Sequence, residues 1–103
     1  MYLTVFRSRK RADMDTAAYA ADDARMTELA ARQPGFVSYD YFVAPDGETV
    51  AISVWESAEA AQAWGRHPDH AAVRARGQSG YYERYTIYSC ASPDVREFRR
   101  DAE

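Results

Sequence analysis

A chain of 103 residues with a formal charge of −3 and an isoelectric point near 5.4 has the length of one domain and the wrong sign for a general nucleic-acid or anionic-membrane binder. Its single cysteine, Cys90, excludes an intrachain disulfide and any C-x-x-C redox or zinc motif; with no apolar stretch approaching a transmembrane span or a signal-peptide core, the cytoplasm is the expected compartment. Eight Tyr, four Phe and two Trp, each able to bury roughly 150–250 Å², are more than a small sheet absorbs and predict a subunit interface or a large apolar pocket.

Tyr2 to Arg7 (Y-L-T-V-F-R) is β-branched and aromatic and reads as a strand, and the basic run Arg7, Arg9, Lys10, Arg11 reads as a solvated loop. Asp15 or Thr16 then caps a helix running to about Arg32, with Tyr19, Met26, Leu29 and Ala30 on one face and Asp22, Asp23, Arg25 and Glu28 away from its centre. Gln33-Pro34-Gly35 stops that helix. Phe36 to Ala44 and Thr49 to Trp55 read as two strands joined at Pro45-Asp46-Gly47. Ser57 caps a second helix from Ala58 to Arg66. Pro68 opens a further helical piece, with Asp69 near its positive end and Gly77 as its stop, so the helix is broken at His67-Pro68. Gly80 to Ala91 is the fourth strand. Ser92-Pro93-Asp94 begins a tail with the makings of a short helix, which sets the domain at residues 1–91 and the tail at 92–103.

The order β-α-β-β-α-β is that of the ferredoxin-like α+β unit, which places its helices on one sheet face. The strands, however, alternate poorly. Val5 and Phe6, Tyr41, Phe42 and Val43, and Tyr81 and Tyr82 are apolar or aromatic on both faces. The second face therefore needs a cover, and a second copy of the chain is the simplest one.

Both tryptophans and both histidines fall between Trp55 and Gly77, which concentrates the candidate chemistry there. His70, beside the helix corner, is suited to moving a proton near neutral pH; it equally suits a packing histidine bonded to a backbone carbonyl. His67 and His70 in H-P-D-H supply only two of the three or four ligands zinc requires, so no metal is expected. Trp55 and Trp64 can wall a flat aromatic ligand or simply fill the core. Of Tyr39, Tyr41, Tyr81, Tyr82, Tyr85 and Tyr88, a minority can serve a ligand, since no small-molecule site uses six phenols. The chain has neither a glycine-rich phosphate loop nor a serine elbow.

From Tyr2 to about Cys90 the chain resembles the antibiotic biosynthesis monooxygenase (ABM) domain family. The resemblance rests on V-F-R-S, R-M-T-E-L-A-A-R-Q-P-G-F, the D-G hairpin, S-V-W-E-S-A-E-A-A-Q-A-W, H-P-D-H, Gly77 and Y-Y-E-R-Y. It implies a dimeric α+β barrel, a homodimer with a ligand pocket between sheet and helices in each subunit. It further implies a cofactor-independent monooxygenase in which an electron-rich phenol, hydroquinone or anthrone supplies the electrons to molecular oxygen. His70 is then the catalytic base, Trp55 and Trp64 wall the substrate, and Tyr82, Tyr85 or Arg7 stabilise developing oxygen anions. Haem-degrading relatives place an asparagine on the first strand and a histidine ten residues after a tryptophan; this chain has no asparagine, and Arg74 stands ten residues after Trp64. Haem degradation, with His70 as an unconventional ligand, is the alternative enzyme reading. An isomerase or cyclase using His70, and a small-ligand binding protein, are the readings without oxygen.

Overall fold

The computed structural model describes residues 1–101. Strands β1 (Tyr2–Lys10), β2 (Phe36–Val43), β3 (Thr49–Trp55) and β4 (Tyr82–Ala91) form one sheet in the order β2-β3-β1-β4, with every neighbouring pair antiparallel. Helices α1 (Thr16–Ala31), α2 (Ala58–Arg66) and α3 (Pro68–Arg76) complete a ferredoxin-like α+β unit. Among the described residues no helix is long and apolar enough to cross a membrane.

The basic run after Phe6 is strand rather than loop, and Glu48 is the reason. This carboxylate, 8% exposed, accepts from Arg7 Nε at 3.1 Å, from Arg9 Nε at 3.0 Å and from both terminal nitrogens of Arg84 at 2.9 and 3.0 Å. Gathering three guanidiniums on one side neutralises part of their mutual repulsion and lets β1 run on to Lys10. On the opposite side Ser8 Oγ and Thr49 Oγ1 share a buried hydrogen bond of 2.7 Å.

Residues opposite each other across an antiparallel pair share a face. Phe6 lies opposite Ala51 and Ile87, and Tyr2 opposite Trp55; these point to the helices. Leu3, Val5, Val50, Ile52 and Val54, joined by Phe42 and Tyr88, point the other way. Among the described residues no helix covers that second face, and Phe42 and Tyr88 are 57% and 58% exposed. The buried apolar residues are Met26, Ala51, Trp55 and Tyr81, all in the layer between sheet and helices.

Capping follows the sequence closely. Asp15 Oδ1 accepts from Ala18 N at 3.0 Å to start α1, and Ser57 Oγ from Ala60 N at 3.1 Å to start α2. Gly35, at φ +85°, turns the chain out of α1, and a Cβ there would stand 2.5 Å from that of Ala60. At Gly77 the structure departs from expectation. Gly77 is right-handed (φ −60°, ψ −47°), so it does not stop the helix; one π-helical turn follows over Gly77–Tyr81, and β4 begins at Tyr82 rather than Gly80. A Cβ on Gly77 would meet the Tyr82 ring at 2.9 Å, so this glycine is required for space rather than for φ. The tail forms no helix through residue 101, leaves Val95 and Phe98 exposed, and its last two residues lie outside the described chain.

Candidate active site

The break between α2 and α3 sets the position of the imidazole. In a continuous helix the carbonyl of Trp64 would accept from the N–H of residue 68, but Pro68 has none. That carbonyl accepts instead from His67 N at 3.1 Å and from His70 Nδ1 at 3.0 Å. The next carbonyl, Gly65, would accept from Asp69 N; that N–H donates to His67 Nδ1 at 3.1 Å, and Gly65 accepts from Arg74 Nη2. Two orphaned carbonyls at the end of α2 are thus taken by His70 and Arg74, one turn apart on α3.

A carbonyl can only accept, so His70 Nδ1 bears the proton, and in the neutral ring Nε2 keeps its lone pair. The imidazole stacks on the Trp64 indole at 4.4 Å and 10°, and Trp64 stacks in turn on Trp55 at 6.4 Å and 25°. Burial lowers the His70 pKa from its ordinary value, the bond to the Trp64 carbonyl opposes that shift, and the positive charge of Arg74 adds to it. The result is a ring held neutral, with one nitrogen anchored.

His70 faces a cavity of about 110 Å³. Phe6, Tyr82 and Tyr85 line its sheet side, Tyr19, Asp22 and Asp23 its α1 side, and Val73, Arg74 and Tyr81 the remainder. Its aromatic walls interlock: Phe6 meets Tyr82 at 5.4 Å and Tyr85 at 5.0 Å, and Tyr19 meets Tyr81 edge-on at 5.5 Å. Asp22 ties α1 to the end of α3, accepting from Arg76 at 2.8 and 2.9 Å and from the Tyr81 hydroxyl at 2.7 Å. The Arg76 hydrogen bonds, with help from Tyr81, hold its carboxyl down at about 2. Asp23, exposed at the rim, is pushed upward by partial desolvation against the pull of Lys10. Burial pushes the Tyr82 phenol up to about 12, so it stays a proton donor at any working pH. Among the described residues, no three His, Cys, Asp or Glu side chains converge as metal ligands.

Of the residues given site roles in the sequence, the structure brings His70, Tyr82 and Tyr85 to this cavity, joined by Tyr81 from the wider set of tyrosines, and leaves Trp55, Trp64 and Arg7 outside it. Trp55 is 2% exposed and lies beneath Trp64. Trp64 stands behind the imidazole and lines a separate depression of about 380 Å³ with Gln33, Pro34, Glu56 and Glu59. Arg7 is on the opposite sheet face, held by Glu48. The sequence reading missed Asp22, Asp23 and Arg74. Tyr19, Asp22, Asp23 and Met26 fall at i, i+3, i+4 and i+7, so the acids occupy the helix stripe that otherwise meets the sheet, and Arg74 is i+4 from His70.

The solved structures similar to this one share the fold at low sequence identity. Rv0793 from Mycobacterium tuberculosis superposes with a TM-score of 0.79 at 24% identity, covering 93% of this chain and 98% of that one. SnoaB from Streptomyces nogalater, described as a cofactor-independent oxygenase, superposes in its N63A form with a TM-score of 0.75 at 21% identity, covering 91% and 94%. In sequence, the chain is 35% identical over 86 residues to the uncharacterized protein YqjZ of Bacillus subtilis, spanning 84% of this chain and 75% of that protein. Residues 1–76 match the family model for antibiotic biosynthesis monooxygenase, and with that match the chain belongs to the antibiotic biosynthesis monooxygenase family.

Proposed function

We propose that the protein is a cofactor-independent monooxygenase that oxidises a small electron-rich phenol or hydroquinone with molecular oxygen. The observation that supports this best is His70: half-buried, neutral, anchored through Nδ1 and facing an aromatic-walled cavity with Nε2 unprotonated. No side chain activates oxygen by itself, so the substrate supplies the electrons. Nε2 takes the phenolic proton, the phenolate passes one electron to oxygen, and the two radicals join at a ring carbon. The peroxide then loses the ring hydrogen as a proton and its outer oxygen as water, leaving a quinone: phenol plus O₂ gives quinone plus H₂O. Tyr82 and Tyr85 donate to the oxygen anions, and Arg74 takes the cationic role first ascribed to Arg7.

Volume narrows the substrate. An apolar cavity of about 150 Å³ holds a benzene, and sites for drug-sized ligands run to roughly 300–1,000 Å³. At about 110 Å³ and open to solvent at its mouth, this cavity favours a single ring at its inner end over a tricyclic anthrone or a haem. The open sheet face supports a further proposal, a cytoplasmic homodimer in which a second copy covers Leu3, Val5, Val50, Ile52 and Val54.

Oxygen uptake with a panel of phenols, hydroquinones and anthrones, in chelator and without added flavin, nicotinamide or metal, tests the reading. Uptake should be fastest with single-ring substrates, and His70→Ala should lower it about 10²- to 10⁴-fold. Full activity in His70→Ala removes the base assignment, and turnover without oxygen consumption identifies an isomerase or cyclase instead.

A further inference from the structure

Tyr85 lines the cavity, and its hydroxyl makes a single side-chain hydrogen bond among the described residues: it accepts from Gln78 Nε2 at 2.8 Å. A phenol has one proton to give and lone pairs to receive. With the amide donating into the oxygen, the proton of Tyr85 is uncommitted, and the polarised O–H becomes a stronger donor. The ring has little freedom to turn away, being packed against Phe6 at 5.0 Å and Tyr82 at 5.7 Å.

Gln78 reaches this position because of the π-helical turn. Regular helices end without such a turn, and an inserted one re-aims the side chains it contains. The turn is pinned at both ends: Arg11 N donates to the Tyr81 carbonyl at 2.9 Å, Ser79 Oγ donates to the Arg76 carbonyl at 3.2 Å, and Gly77 allows the Tyr82 ring against the backbone. The turn buries Gly77 and Tyr81, but Gln78 itself is exposed and packs no core, so its bond to Tyr85 is the contact that accounts for its placement.

We propose that Gln78 is a positioning residue that turns the Tyr85 hydroxyl into a dedicated donor for the phenolate oxygen of a single-ring substrate. This rests on the phenol-oxidising reading above. His70 removes the proton, and Tyr85 holds the charge that remains. Selection for the ionised ring makes the substrate a better reductant before oxygen arrives.

The probe is 4-nitrophenol, whose phenolate has its own visible absorbance, titrated against the full chain. The apparent pKa of the bound probe should lie below its solution value, and Tyr85→Phe should reduce the preference for phenolate over phenol by about 10- to 100-fold, the scale of one hydrogen bond to a charged group. Gln78→Glu offers only acceptors at the same place; the Tyr85 proton then turns to it, with a comparable loss. A new negative charge would also repel phenolate directly, so the deciding measurement is the cycle. Gln78→Glu should cost clearly less in a Tyr85→Phe background, where only the direct repulsion remains, if it acts through Tyr85. An equal loss in both backgrounds, an unchanged preference in Gln78→Glu, or no binding by the wild type at millimolar probe overturns the proposal. Oxygen uptake is scored separately: the expected cycle with no uptake on any phenol upholds the phenolate site and removes the oxygenase reading.

Discussion

His70 is neutral because of where it sits, and its acidity is displaced in a direction that kinetics can read. Burial lowers its pKa, so the cation is disfavoured in the folded protein. A group whose folded pKa is depressed contributes stability above its unfolded value, and that contribution is lost as pH falls through the folded one. For catalysis the same sign keeps Nε2 available below the ordinary histidine value of about 6.5. The acid limb of the pH profile of kcat/KM, which reports the free enzyme, should therefore have its midpoint below about 6.5. A midpoint at or above that value would mean that the imidazole which matters is not a desolvated one. The residue was legible in the sequence, but only as one of two kinds of histidine. The structure shows that the kinds are not exclusive, for His70 is both bonded to a backbone carbonyl and open to a cavity. Pro68, four residues after Trp64, was the available sign that this carbonyl would be free.

At the level of elements, capping and hairpin chemistry located every helix and strand, while the segment from Gly77 to Tyr81 and the basic end of β1 were misread. Both misreadings have a cause that lies far off in sequence. Gly77 looks like a helix stop because glycine usually serves that purpose, yet its neighbour is the ring of Tyr82 folded back on it. The arginines of β1 look solvated because Glu48, about forty residues away, cannot be foreseen beside them. The sequence leaves the two tryptophans between pocket wall and core, with the wall role implied by the resemblance; in the structure the stack Trp55–Trp64–His70 puts them behind the imidazole. Gly77→Ala tests the tight contact. Its backbone is comfortable for alanine, so any cost comes from displacing Tyr82 from 2.9 Å. Overpacking of this kind costs about 1–3 kcal/mol, measurable as a lowered urea midpoint at unchanged m value. Stabilisation would show that the ring yields freely.

For the whole molecule, the composition leads to two expectations, a pocket and a subunit interface, and the structure has a feature that bears on each. Five aromatic rings line the small cavity, while the open sheet face is mainly aliphatic, with Val5 opposite Ile52 and with Tyr88 and Phe42 largely exposed. With Met26, Ala51, Trp55 and Tyr81 as its buried apolar residues, a single copy has a thin core for its length. Light scattering on a size-exclusion column at micromolar concentration should give twice 11.7 kDa, and Ile52→Asp, which sets a charge in the middle of that face, should return the mass to that of one chain with reduced stability. A wild-type protein that elutes as a clean monomer would refute the homodimer.

The indole of Trp64 and the imidazole of His70 lie parallel at 4.4 Å, closer than most aromatic pairs in the molecule. A protonated imidazole against an indole face is a cation on a π system, and it quenches indole emission. The protein therefore contains its own optical indicator of the state of its candidate base. Tryptophan fluorescence should dim as the solution is acidified, with a midpoint below about 6.5, and His70→Gln should abolish that step while leaving the emission of the neutral protein bright. The titration needs no substrate and no oxygen.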